Sequence, residues 1–359
     1  MSSDDQQADA GDGWHVVSHS KRGHGASRGR GQHLPTSFSG RANRQQTAPR
    51  VVHPPPPGPI LGVGDPLGAG DSYLVADVLP QELAESAFEN MRAEVKWNVM
   101  HHRGGEVPRL VAVEGEVAED GSQLPEKIDY SFPLYRHPAD ESPPLSPFSP
   151  TVAQIRDHVQ KVLNHPVNHV LIQHYRSGKD YISEHSDKTI DVVWGSNIVN
   201  VSIGAQRVMT LREKGPPRNG SAPPQDNEKV SRASQRIPLP HNSMFVMGPQ
   251  TNKKWLHGIN HDNRALKSKS SAELFNNGER ISLTFRYIGT FLTADESKIF
   301  GQGAKGKTRE TARPVVLGGK EGGALIRAFG EENHRNNFDW NRNYGRGFDV
   351  LHFNVHDDA

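Results

Sequence analysis

The chain has 359 residues, 34% of them hydrophobic, with 35 Gly, 26 Pro and a net charge of only +1, which suits one globular core carrying polar appendages. Cysteine is absent, so disulfides, disulfide-linked partners, thiolate metal ligands and a Cys nucleophile are excluded; any metal falls to His, Asp or Glu, and 19 His are available. No apolar run approaches the roughly 20 residues of a membrane span. MSSDDQQADAGDGW has no apolar stretch behind a basic start, so no secretory signal is expected, and the nucleus or cytoplasm is the expected address.

Residues 1–70 read as a disordered RG- and Pro-rich tail, because SKRGHGASRGRGQ and HPPPPGP cannot bury enough surface to offset ordering entropy. A flexible tail and a contact with nucleic acid are both open readings for its RG-rich piece. Order is expected from near Tyr73. Residues 80–93 predict a helix: Leu83, Ala87 and Met91 recur every four residues, Phe88 widens the stripe, and Pro80 suits the first turn. A second helix follows Ser149 as cap and Pro150, with Val152, Ile155, Val159 and Val162 on one face.

From Val167 the pattern changes to short strands. VNHVLIQHY, SNIVNVSIGAQRVMTLR, HNSMFVMG, KKWLHGI and RISLTFRYIG are rich in β-branched and aromatic residues, with Gly, Pro and Asn clusters between them. The expected class is mainly β with flanking helices (α+β), built on a jelly-roll, cupin-like barrel. The domain is expected over 71–292, with polar insertions near 214–236 and 261–279, and 293–359 is an extension of unknown role. Within it, EGGALIRAFGEENH predicts a short helix, and RNNFDWNRNYGRGF interleaves Arg with aromatics, as a base-stacking segment or a packed tail would. Residues 203–236 hold seven Lys or Arg against three acids, and 252–269 hold five against one. Solvated loops and phosphate-facing loops both fit that charge.

The chemistry concentrates in ISEHSDKTI. On a strand, His185 and Asp187 point to the same side. A second His on a neighbouring strand completes a 2-His-1-carboxylate face, which leaves three adjacent sites open and suits non-haem iron(II). His257, in the apolar run KKWLHGI, is the natural third ligand. His-x-Asp alone is weak, since His356 and Asp358 repeat it in a polar tail. The second element is GERISLTFRYIG, where Arg280, Ser282, Thr284 and Arg286 share one strand face and Ile281, Leu283, Phe285 and Tyr287 the other. Two inward guanidinium groups need anions, and a dicarboxylate meets that need.

With these motifs in order, and with EVPRLVAVEGE and SMFVMGPQTNKKWLH around them, the chain resembles the AlkB family of iron(II)/2-oxoglutarate dioxygenases over roughly 107–291. The resemblance implies a double-stranded β-helix with iron on His185, Asp187 and His257, and with 2-oxoglutarate and dioxygen as cosubstrates. It implies Arg280 on the distal carboxylate of 2-oxoglutarate, with the Tyr175 hydroxyl beside it, and Arg286 near the metal-bound end. Gln173 stands where the family usually has Asn, one methylene shorter. Thr189 stands where many nucleic-acid-repairing members carry an acid, so base preference does not transfer. The implied reaction is oxidative demethylation of alkylated DNA or RNA, with Trp194 or Tyr135, Arg136 and His137 as stacking candidates. The alternatives are a small-molecule metabolite as substrate and a binding module with a dead barrel.

Overall fold

Alternation on the strand Arg280–Arg286 organises the molecule. Ile281, Leu283 and Phe285 enter an apolar core on one face, while Arg280, Ser282, Thr284 and Arg286 line a polar pocket on the other. Tyr287 falls one residue past this strand and stacks on His165. The computed structural model describes residues 58–102, 105–117, 130–138, 142–215 and 232–352. The tail up to Pro57, the segment 216–231 and the second His-x-Asp at His356 and Asp358 lie outside these described residues.

Arg280–Arg286 sits between His169–Tyr175 and Ile198–Gly204 in an eight-stranded major sheet, antiparallel to both. Ser243–Met247 and Tyr73–Val75 extend that sheet on one side, and Gly105–Gly115 and Asn98–His102 on the other. A four-stranded minor sheet runs Ser234–Leu239, Arg207–Glu213, Trp255–Ile259 and Ile182–His185. Tyr175, Ile198 and Phe245 of the major sheet pack with Ile182, Leu211, Ile237 and Trp255 of the minor one, so the inner core lies between two facing sheets. This is the expected double-stranded β-helix. No helix among the described residues is long and apolar enough to cross a membrane.

The helices Gln81–Glu94 and Pro150–Leu163 cover the outer face of the major sheet. In the second, Leu163 is buried and Val162 is 41% exposed, because the 3.6-residue period carries position 162 to the margin of the stripe set by Val152, Ile155 and Val159. Ser149 occupies the N-cap position but does not cap with its hydroxyl. Glu94 of the first helix accepts from the Thr151 N–H and hydroxyl, while Ser149 donates to the buried Glu114.

Three expected boundaries shift. The ordered domain begins before residue 71, since Leu67 is fully buried between the sheets and the Leu61 N–H and Pro59 carbonyl bond the backbone of Arg236. This segment sets Ile60, Leu61, Val63 and Leu67 among Gly and Pro and is held largely through its backbone atoms, which composition does not register. The expected insertion at 214–236 overlaps a strand: Ser234–Leu239 is the edge of the minor sheet, the place where Pro238 is tolerated. The boundary at 292 cuts the strand Thr290–Thr293, which pairs with Ser131–Pro133 and Lys298–Gly301. The extension that follows contains the expected helix, Gly319–His334, and packs Leu325, Phe329, Phe338, Tyr344 and Val350 around Ile190 of the domain.

Candidate metal centre

The minor sheet sets two imidazoles side by side. His185 ends one strand, His257 lies opposite it in register on the neighbouring strand, and their ring centroids are 4.3 Å apart. Asp187 is not on the strand, which stops at His185; it lies in the loop that follows. Its carboxylate still converges, because Asn252 accepts from the Asp187 N–H and donates to its carbonyl, both at 2.9 Å. Asp187 Oδ1 stands 3.8 Å from His185 Nε2 and 3.9 Å from His257 Nε2, and the three donor atoms all lie within 4.8 Å of one another.

The protonation states suit a metal. His185 donates Nδ1–H to the Ser183 carbonyl at 2.9 Å, which leaves Nε2 with its lone pair toward the cluster. Burial, then the neighbouring His257, lowers the His185 pKa to about 3, and burial likewise lowers that of His257. Burial opposes ionisation of Asp187, but Arg286 and the two imidazoles outweigh it and hold the carboxyl at about 2. Two neutral imidazoles and one carboxylate are the donor set of a facial iron(II) site.

A narrow polar cavity of about 40 Å³ opens beside this cluster, lined by Gln173, Tyr175, Asn200, Arg280, Ser282 and Arg286 among others. Arg280 is 1% exposed. Its Nη2 donates to Asn200 Oδ1 at 2.9 Å and Ser202 Oγ at 2.8 Å, while Nε and Nη1 have no hydrogen-bond partner. Burial lowers its pKa to about 10, still cationic at neutral pH. Tyr175 faces Arg280 across the strand pair, with the guanidinium carbon 5.3 Å from its ring. A buried guanidinium with two idle donors is a receptor for a carboxylate. Arg286 differs: its Nε and Nη2 are committed to Asp187 Oδ2, and only Nη1 is free. Gln173 lines the same cavity, and its amide oxygen accepts from Arg109 Nε.

The comparison with known proteins decides the family: a family model described as the 2OG-Fe(II) oxygenase superfamily matches residues 71–286. The chain belongs to the 2OG-Fe(II) oxygenase superfamily. The triad His185, Asp187 and His257 fits the iron(II) that the superfamily's description names. Within the superfamily the similarity runs to AlkB-type proteins. The chain is 36% identical over 142 residues to the human "DNA oxidative demethylase ALKBH2", covering 40% of this chain and 48% of that protein. It is 27% identical over 227 residues to the Bos taurus "Alpha-ketoglutarate-dependent dioxygenase alkB homolog 3", covering 62% and 68%. The chain thus spans about half the length of the ALKBH2 proteins it matches.

A second cavity, of about 530 Å³, shares His185, Asp187 and Arg286 with the narrow one. Tyr135 and His137 line it, as the sequence suggests; Arg136 does too, but its guanidinium is held by Asp191 at 2.6 Å and by the carbonyls of Gly303 and Phe348. Trp194 lines neither cavity and sets its edge on Trp340, 4.6 Å between centroids. His169 was not singled out from the sequence, yet it is buried in this wall with Nδ1 unpartnered, 5.6 Å from the Tyr135 ring. Its strand parity with Gln173 and Tyr175 was the available signal.

Among the described residues of the basic stretches, six cations are engaged within the protein, while Arg232, Lys253, Lys254 and Lys267 are exposed. Arg207 bonds three backbone carbonyls, Arg212 pairs with Glu184, Lys214 is buried against the carbonyls of Asn252 and Glu332, and Arg236 bonds Gly58. Arg264 and Lys269 both pair with Asp262.

Proposed function

We propose that this protein oxidatively demethylates N-alkylated bases in DNA or RNA. His185, Asp187 and His257 hold iron(II), Arg280 and Tyr175 take the distal carboxylate of 2-oxoglutarate, and Arg286 and Gln173 line the metal-facing half of that pocket. The observation that carries this reading is the junction: a polar pocket with an idle guanidinium and a wide apolar cavity meet at one set of metal donors. The names of the relatives, one of them a DNA oxidative demethylase, support the substrate class.

When bound, iron and 2-oxoglutarate consume dioxygen to give succinate and carbon dioxide and convert a substrate C–H to C–OH; a hydroxylated N-methyl group then leaves as formaldehyde, its hydroxyl proton passing to nitrogen. The chain's own residues do the positioning. Ser183 fixes the His185 tautomer, Arg286 ties down one oxygen of Asp187, and Arg280 orients the diacid through donors that nothing else uses. Burial pushes His137 down to about 4 and His169 well below its ordinary value, so both face the substrate as neutral imidazoles. The protein purified anaerobically with iron and 2-oxoglutarate releases formaldehyde from methylated oligonucleotides; its absence across all methylated bases, with succinate still formed, rejects the substrate.

A second reading keeps the oxygenase and replaces the nucleic acid by a small metabolite. Two observations favour it: the cavity volume of about 530 Å³ suits a small molecule, and Arg207, Arg212, Arg264 and Lys269 are committed internally. Salt separates the two, since phosphate contacts make affinity fall steeply between 50 and 200 mM salt. The complete donor set and idle Arg280 speak against a dead barrel.

A further inference from the structure

The loop that carries Asp187 is held by side chains at four successive amides. Ser186 N–H donates to Asn333 Oδ1 at 2.9 Å, Asp187 N–H to Asn252 Oδ1 at 2.9 Å, Lys188 N–H to the Tyr135 hydroxyl at 3.1 Å, and Thr189 N–H to Glu332 Oε1 at 3.1 Å. Two of the four acceptors come from the last turn of the helix Gly319–His334, far outside the matched family region 71–286.

Both are themselves fixed. The Tyr344 hydroxyl donates to Glu332 Oε2 at 2.7 Å, and Thr189 adds its own hydroxyl to Glu332 Oε1. Lys214, 2% exposed, donates to the Glu332 carbonyl at 2.7 Å and to the Asn252 carbonyl at 3.1 Å, so one ammonium joins the helix end to the residue that locks Asp187. Lys188 Nζ reaches Asn333 Oδ1 at 3.2 Å. Ile190 is buried among Leu325, Phe329, Phe338 and Tyr344, and the indole N–H of Trp340 donates to the Thr189 carbonyl.

We propose that the C-terminal extension is a clamp on the iron-ligand loop, with Asn333 and Glu332 as positioning residues that set the direction of the Asp187 carboxylate. Asp187 lies beyond the strand, so strand geometry does not fix it; Arg286 holds one oxygen of its carboxylate, and the hydrogen bonds at the loop amides place its backbone. The same contacts assign Thr189 and Glu332 to each other rather than to a substrate, which accounts for a neutral residue at position 189. The proposal rests on the ligand assignment made above.

Its test reads the metal and the loop separately. The metal-free full-length protein is titrated with Co²⁺, followed by its visible absorption, in wild type, His257→Ala, Asn333→Leu and Asn333→Asp. In every bond given for Asn333 its Oδ1 accepts, so Asp preserves the clamp and Leu removes it. We expect Asn333→Leu to weaken Co²⁺ binding by at least ~10-fold, the scale of lost outer-shell support, and Asn333→Asp to stay within ~3-fold of wild type by the same scale. Hydrogen exchange of the amides at 186–189 speeds up in the Leu variant, while 198–204 in the major sheet is unchanged. If leucine disturbs its own helix, seen as faster exchange at 319–330, Asn333→Ala makes the same comparison. Wild-type affinity with wild-type loop exchange overturns the clamp, as does equal weakening by Leu and Asp. Unchanged affinity in His257→Ala overturns the ligand assignment instead.

Discussion

Arg286 donates to Asp187 through both Nε and Nη2, at 3.2 and 2.9 Å, and both bonds end on the same oxygen, Oδ2. The other oxygen, Oδ1, is the one that faces the two imidazoles. One carboxylate therefore serves an ion pair and the candidate metal position at once, and both residues are buried, at 2% and 4% exposure.

Removing Asp187 consequently costs more than turnover. Asp187→Ala strands a buried guanidinium, and breaking a buried pair this way costs about 3–5 kcal/mol. Asp187→Asn keeps an acceptor for Arg286 and is expected to lose less stability while also losing metal binding. Urea unfolding of both variants, with succinate production measured in parallel, checks this; an alanine variant as stable as wild type contradicts the pairing.

The sequence made the site legible where periodicity sets direction. Arg280 and Arg286 follow from strict alternation on one strand, and His257 from its place in an apolar strand that registers against His185. Asp187 converges for a reason other than the strand parity that suggested it, because the strand ends first and Asn252 holds the loop. Glu332 and Asn333 were out of reach: their partners lie 143 and 147 residues away, and no local pattern marks a side chain that bonds a distant amide. The segment from Gly58 to Asp71 was missed because its anchors are bonds from its backbone and from Asp71 to residues over 160 positions away, with Leu67 buried and Leu61 packed beside it.

Arg280 predicts opposite effects on stability and on cosubstrate binding. In the ligand-free protein two of its donors are buried and idle, a cost that an apolar side chain removes. Arg280→Met is expected to raise the melting temperature of the protein without 2-oxoglutarate. The same change raises the KM for 2-oxoglutarate by about 10–100-fold, the loss of one or two charge-assisted hydrogen bonds. Thermal scans with and without 2-oxoglutarate show both signs, and an unchanged KM moves the diacid elsewhere.

Leu67 tests where the domain starts. It is fully buried in the core between the sheets, four residues before the family match begins at residue 71. Leu67→Ala is expected to destabilise by about 2–5 kcal/mol, the range for a large-to-small change in a packed core. A variant starting at residue 71 should melt lower than one starting at residue 58, and equal melting temperatures would show that the segment adds nothing.

Glu114 gives the fold a pH dependence that is independent of the metal. It lies 3% exposed on the strand Gly105–Gly115 with its carboxylate at Ser149, and burial, against its bonds from Ser149, raises its pKa from 4.5 to about 7. The folded state therefore keeps a proton that the unfolded chain has already released between pH 4.5 and 7, and stability falls as pH rises through that window. Glu114→Gln retains an acceptor for Ser149 and never ionises. Its advantage over wild type should be near zero at pH 4 and grow to at most about 3 kcal/mol by pH 8, from the size of the shift. Denaturant midpoints of the two proteins across that range give the answer directly. A constant difference at every pH would mean that Glu114 stays ionised in the fold, and that the Ser149 bonds and nearby Lys96 outweigh its burial.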